Sequence, residues 1–198
     1  AVSAESVALL QDCMAYSHDS DGAFDVTVGS LVQAWGFFRG TGELPGGFRL
    51  RRALASTGYQ SLELNAAAQT VRFLVDGLTL DPGGIGKGYA VERVAALLEE
   101  YGVESALISA GTSTLYAIGA PPGQPEGWTV EIRDPRDSEK IAASIRLRDS
   151  SLSTSGSYEK FFEVEGKVYS HIFDPRTGKP ASGAMSVSVV SDSALDSE

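Results

Sequence analysis

Cysteine is nearly absent from this 198-residue chain: Cys13 is the only one. That excludes an intrachain disulfide and a cysteine-rich zinc site. Histidine is scarce as well, with only His18 and His171. Any bound metal would therefore have oxygen ligands, because no Cys or His cluster exists. Positive charge is also short. Lys and Arg number 16 against 26 Asp and Glu, a net charge of −10. Nucleic acid is thereby a poor partner, since its binding is driven by cation–phosphate contacts. An anionic ligand must be held by local donors, a lysine or a metal, against the field of the whole chain. No apolar run reaches ~18 residues, so no segment reads as a membrane span. The chain opens in what reads as mid-helix and closes on "SALDSE" with no completing element. It reads as a fragment trimmed at both ends, with room for a signal peptide or lipid anchor ahead of residue 1.

What is present is ordinary for a globular protein, at 42% hydrophobic and 21% charged residues. The length suits one domain with a real core, spanning 1–198. Val7, Leu10 and Met14 recur at helical spacing, and "DSDG" at 19–22 breaks the run. A second short helix is expected over 26–37, then a loop over 37–47. A hairpin follows, with strands near 61–65 and 70–75, where Val71, Phe73 and Val75 alternate with Arg72 and Leu74. Val91, Val94, Ala95 and Leu98 mark one apolar helix face, and Gly102 fits its stop. "SALISAG" at 105–111 reads as a buried strand, and 120–127 as a turn-rich loop. "WTVEIRDP", "ASIRLRD", "FFEVEGKVYSHI" and "MSVSVVS" have strand character, with a tight turn at Glu165-Gly166-Lys167. The expected class is α+β, with largely antiparallel sheets and packed helices.

Three stretches carry chemistry. The first is "DPGGIGKG" at 81–88. It is neither a Walker A nor a G-x-G-x-x-G loop, because Asp81 stands at the first position and Gly88 at the last. Still, strand, glycine loop and helix together aim free N–H groups at an anion, and Lys87 adds a point charge. Taken alone, a tight turn with a solvated lysine explains it equally well. The second is "GAFD" at 22–25, which alone reads as a helix start with Asp25 as N-cap and Phe24 in the core. The third runs from "SLSTSG" to "HIFDPRTGKP". There Thr154-Ser155-Gly156 alone is a strand-end turn, and "DPRTG" is a turn capped by Asp174 and closed by Gly178. His171 alone is more often a packed or surface imidazole than a catalyst.

The order matters more than any one stretch. GAFD, D-x-G-G-I-x-K-G-Y-A-V, an S-A-G strand end, T-S-G-x-Y-E-K-F-F and H-I-x-D-P-R-T-G-x-P together resemble the ApbE family of FAD:protein FMN transferases. The resemblance runs from about residue 22 to the end. It implies an ApbE-like fold and the splitting of FAD at its pyrophosphate. FMN would pass to a Thr or Ser hydroxyl of an acceptor protein through a phosphoester, with AMP released and a divalent cation, usually Mg2+, required. The resemblance places FAD contacts on Ala23, Phe24, Asp25, Asp81, Lys87, His171 and Ile172. It makes His171 the base for the acceptor hydroxyl, and the Gly84 carbonyl and Glu198 metal ligands, with Asp196 the next candidate. It also implies a cell-envelope location, periplasmic or otherwise extracytoplasmic, and leaves open whether a lipid anchor is present. Two departures stand out. Ser109-Ala110-Gly111-Thr112-Ser113 replaces the family's N-A-G-G-D, and the threonine ligand that follows the family's acidic one lies beyond residue 198. An FAD pyrophosphatase, with water in place of the acceptor, and a noncatalytic flavin-binding module are the competing readings.

Overall fold

The computed structural model describes residues 1–40, 42–111 and 113–198. Helices α1 (Ala4–Asp19), α2 (Gly29–Ala34) and α3 (Gly47–Ala55) come first, followed by strands β1 (Leu62–Asn65) and β2 (Thr70–Phe73). Helix α4 (Gly86–Glu100) leads into β3 (Ala106–Ala110), β4 (Thr114–Ile118), β5 (Trp128–Asp134), β6 (Asp137–Leu147) and β7 (Ser150–Gly156). Strands β8 (Phe161–Val164), β9 (Lys167–Ser170), β10 (Phe173–Asp174), β11 (Lys179–Pro180) and β12 (Ser186–Ser191) precede the closing helix α5 (Ala194–Ser197). All paired strands named here are antiparallel. The mixed α+β class expected from sequence is the class observed. The chain forms two compact units, Ala1–Pro82 with Lys160–Gly183, and Gly83–Glu159 with Ala184–Glu198.

In the first unit, α1 starts where Ser3 Oγ accepts the Ser6 N–H at 3.0 Å, an N-cap. It buries Val7, Cys13 and Ser17, the last two one turn apart on the same face. The helix expected over 26–37 is shorter. Residues 25–28 are held in a turn, and Gly36, at φ +74°, ends the following turn. Within the loop expected at 37–47, Phe37–Arg39 makes one 3-10 turn, and Thr41 lies outside the described residues. Helix α3 has no counterpart in the sequence reading. Three arginines in nine residues obscure its apolar stripe, and burial of Ala53 beside Leu31 and Ala34 of α2 supplies what periodicity hides. The β8–β9 hairpin turns at Glu165 and Gly166, both at positive φ, as expected of a two-residue type I′ turn. Trp35 is the centre of an aromatic group with Phe162, Tyr169 and Phe173, and its indole N–H donates to the Gly178 carbonyl at 2.9 Å.

In the second unit, four strands pair in the order β12-β7-β4-β3, and a separate β5–β6 hairpin packs Val130 and Leu147 against Ala117 and Leu152. The two inner strands, β4 and β7, are the ones sequence reading did not assign. Thr154-Ser155-Gly156, read as a strand-end turn, is the end of strand β7 and is itself in the strand. Strand β7 is rich in serine, yet Ser151 and Ser153 are buried. Ser151 Oγ bonds the Leu115 carbonyl and Ser197 Oγ, and Ser153 Oγ lies 3.2 Å from Thr114 Oγ1. Partnered hydroxyls are tolerated inside a sheet where unpartnered ones are costly. Strand β3, expected to be buried, alternates instead, as befits an edge strand. Helix α4 packs Val91 and Ala95 inward, while Val94, expected on the same face, is exposed. It ends as expected: the Gly102 N–H donates to Glu99 O and the Val103 N–H to Leu98 O, the paired bonds of a Schellman stop.

Candidate active site

Helix α4 positions the first group of residues. Ile85, its N-cap, is 2% exposed and pins the glycine loop to the core. The first turn is Gly86, Lys87 and Gly88. N–H groups of a first turn have no intrahelical acceptor. The Gly88 N–H finds one in Glu198 Oε2. Lys87 Nζ lies 2.9 Å from Glu198 Oε1, and it donates to Ser113 Oγ at 2.7 Å and to Thr114 Oγ1 at 3.3 Å. The Thr114 hydroxyl donates to Glu198 Oε2 at 3.2 Å. The Glu198 side chain is 3% exposed and that of Lys87 43%. Lys87 and the α4 N-terminus therefore do converge on one anion. Here that anion is a carboxylate of the same chain. The contact residue Ser113 lies in the stretch that departs from the family pattern, and Thr112 lies outside the described residues. Asp196, the other C-terminal candidate, is exposed on α5. Gly84 is exposed in the 3-10 turn Pro82–Gly84.

Glu92, which sequence reading did not single out, holds α5 in place. Its Oε2 accepts the Ser193 hydroxyl at 2.7 Å and the Leu195 N–H at 2.9 Å. Ser193 Oγ, the N-cap of α5, accepts from Leu195 and Asp196. A Glu inside a helix ordinarily reads as a solvated face. Only packing against α5 reveals this role.

In the first unit, Asp25 does not cap a helix, since the residue at the N-cap of α2 is Val28. Its carboxylate, 6% exposed with its residue, is taken by the chain. Oδ1 accepts the Thr27 N–H at 2.8 Å and the Thr27 hydroxyl at 2.7 Å, and Oδ2 accepts the Tyr59 N–H at 2.8 Å. Phe24 packs edge-on to Tyr16, and Ala23 is exposed. The Asp81 N–H donates to the Val26 carbonyl at 2.8 Å, which joins the start of the glycine loop to the GAFD turn.

His171 is half-buried, with its ring 6.3 Å from that of Phe37. Its Nδ1 lies 3.0 Å from the Lys160 carbonyl oxygen. A carbonyl can only accept, so Nδ1 carries the proton, and in the neutral ring Nε2 keeps its lone pair. That is the tautomer a general base needs. The Ile172 carbonyl accepts the Ala181 N–H at 2.8 Å. The DPRTG turn beyond it is stiffened by Arg176, whose guanidinium hydrogen bond holds the Asp174 carboxyl below the usual carboxylate range.

Comparison with known proteins settles the family. The ApbE family model matches residues 1–198. The chain belongs to the ApbE family. It is 36% identical over 185 residues to the FAD:protein FMN transferase of Salmonella typhimurium, covering 90% of this chain and 52% of that one. It is 33% identical over 205 residues to the enzyme of the same name from Treponema pallidum, covering 96% and 56%. Among solved structures, the ApbE protein of Thermotoga maritima superposes with a TM-score of 0.90 at 33% identity, covering 99% of this chain and 63% of that one. The flavinyl transferase ApbE of Pseudomonas stutzeri does so at 0.80 and 34%, covering 96% and 58%. The chain thus spans about half the length of these curated ApbE relatives.

Proposed function

We propose that this chain belongs to an FAD:protein FMN transferase, which moves FMN from FAD to a Thr or Ser hydroxyl of an acceptor protein and releases AMP. The observation that carries the reading is the convergence of Lys87, the α4 N-terminus and a nearly buried carboxylate on one point. Phosphoryl transfer from a pyrophosphate requires charge neutralisation on the phosphoryl oxygens and an oriented nucleophile. Lys87 and the N–H groups of the α4 first turn are suited to hold pyrophosphate oxygens. His171 Nε2 takes the acceptor's hydroxyl proton. The hydroxyl oxygen then bonds to the FMN phosphorus, the bond from that phosphorus to the bridging oxygen breaks, and the bridging oxygen leaves with AMP.

The donors here fit a hard divalent cation. Glu198 offers a carboxylate, Thr114 and Ser113 offer hydroxyls, and all are oxygen ligands. Glu198 and the Gly84 carbonyl are the residues that would hold it. When bound, such a cation supplies Lewis-acid neutralisation of the pyrophosphate.

The test is to incubate the protein with FAD, Mg2+ and a candidate acceptor protein. A covalently fluorescent acceptor together with AMP supports transfer. Free FMN plus AMP marks a pyrophosphatase, and unchanged FAD marks a binding module. Either of the last two overturns the proposal.

A further inference from the structure

Glu198 carries a negative charge at a position 3% open to solvent, and its two oxygens are used differently. Oε2 is fixed by groups that cannot leave: the Gly88 backbone N–H and the Thr114 hydroxyl on β4. Oε1 is matched, among the described residues, by a group that can, the Lys87 ammonium at 2.9 Å. Lys87 sits at the end of a flexible four-carbon stem, with 43% of its side chain exposed. A buried carboxylate must be matched by hydrogen-bond donors or an opposite charge, and on Oε1 of Glu198 that match is the Lys87 ammonium. A divalent cation on Oε1 would repel an ammonium held at the same oxygen, so each weakens the binding of the other.

We propose that Lys87 is a resident counter-ion for Glu198 that is exchanged for the divalent cation. Before the cation binds, the ammonium neutralises Oε1 and keeps the carboxylate buried. When the cation takes Oε1, Lys87 is released, still anchored on the first turn of α4, and becomes free to pair with a phosphate. Cation binding and nucleotide binding are thereby coupled through one lysine. This exchange rests on the proposed function and adds to it an order of events: the cation first, then the pyrophosphate.

Two measurements test it, and neither reads activity. In the first, Mg2+ alone is titrated calorimetrically into the protein and into Lys87→Met, which keeps the stem and deletes the charge. With its competitor gone, the variant should bind Mg2+ more tightly, by roughly 5- to 150-fold for a coupling of ordinary size. The second uses the unaltered protein, so it stands even if the variant folds poorly. Lys87 is labelled with an amine-reactive reagent and quantified by peptide mass spectrometry. Mg2+ should raise its labelling rate, and subsequent addition of FAD should lower it again. Equal Mg2+ affinity in the two proteins, or weaker affinity in Lys87→Met, overturns the exchange and leaves the transferase reading standing. So does a Lys87 labelling rate that Mg2+ leaves unchanged or lowers. Mg2+ binding to neither protein overturns the exchange together with the metal part of that reading.

Discussion

Gly88 has no room for a side chain: a Cβ there would press into the Ala194 carbonyl oxygen and come within 3.2 Å of the Glu198 Cβ. The glycine is thus required by the packing of α5 on α4, which places Glu198 against the helix N-terminus. Gly88→Ala should destabilise the protein by about 1–3 kcal/mol through overpacking, read as a shift in the urea midpoint. A variant with an unshifted midpoint would mean α5 does not pack there. His171 has the opposite character, since little of the fold depends on its imidazole beyond a bond to the Lys160 carbonyl and an edge contact with Phe37. Under the proposed transferase reaction, His171→Ala should slow FMN transfer by roughly 10²- to 10⁴-fold while FAD affinity changes far less. The two numbers come from a transfer assay and an FAD titration on the same preparation. Full activity in the variant would remove His171 from the chemistry.

Short elements here depend on single charged groups. Helix α5 is four residues long, below the length at which a helix sustains itself. It is held by Glu92 across 103 positions of sequence. Replacing that carboxylate by Glu92→Ala should cost about 1.5–3 kcal/mol, the range for hydrogen bonds to charged groups. The loss should be local, seen as faster amide exchange at Leu195 and Asp196 with little change in β7. The DPRTG turn offers a pH test. Asp174 is held below the usual carboxylate range chiefly by its hydrogen bond with Arg176, so the folded turn favours the charged form. Its contribution is fully present above the ordinary carboxylate pKa of about 4 and is lost as pH falls through the lowered value. NMR titration of Asp174 should give a midpoint below the ordinary one, and Arg176→Met should move it up toward that value. A midpoint that ignores Arg176 would show the pair to be inert.

At the scale of the whole molecule, the single thiol reports on folding. Cys13 is 1% exposed on α1, and burial, reinforced by Asp12, pushes its pKa up to about 11. The thiolate is the reactive form, so the native protein should resist iodoacetamide at pH 8 and label rapidly only once denaturant opens the first unit. Fast labelling without denaturant would contradict the burial of α1. Local pattern alone was enough for several parts of this structure. The β8–β9 turn, the stop of α4 at Gly102, the β1–β2 hairpin and the ordered blocks that resemble ApbE are each written in contiguous residues, because turn chemistry and capping act over a few positions. Lys87 and Glu198 were both legible as functional candidates, but nothing local says that they touch. Strands β4 and β7, helix α3 and the clasp of Glu92 on α5 were decided only by tertiary structure. In β7 the deciding energy is the pairing of buried serine hydroxyls with β4 and α5. For Glu198 it is the meeting of a carboxylate with an ammonium and a helix N-terminus more than 100 residues away. Such bonds exist only once the chain has closed on itself, so no window of sequence contains them.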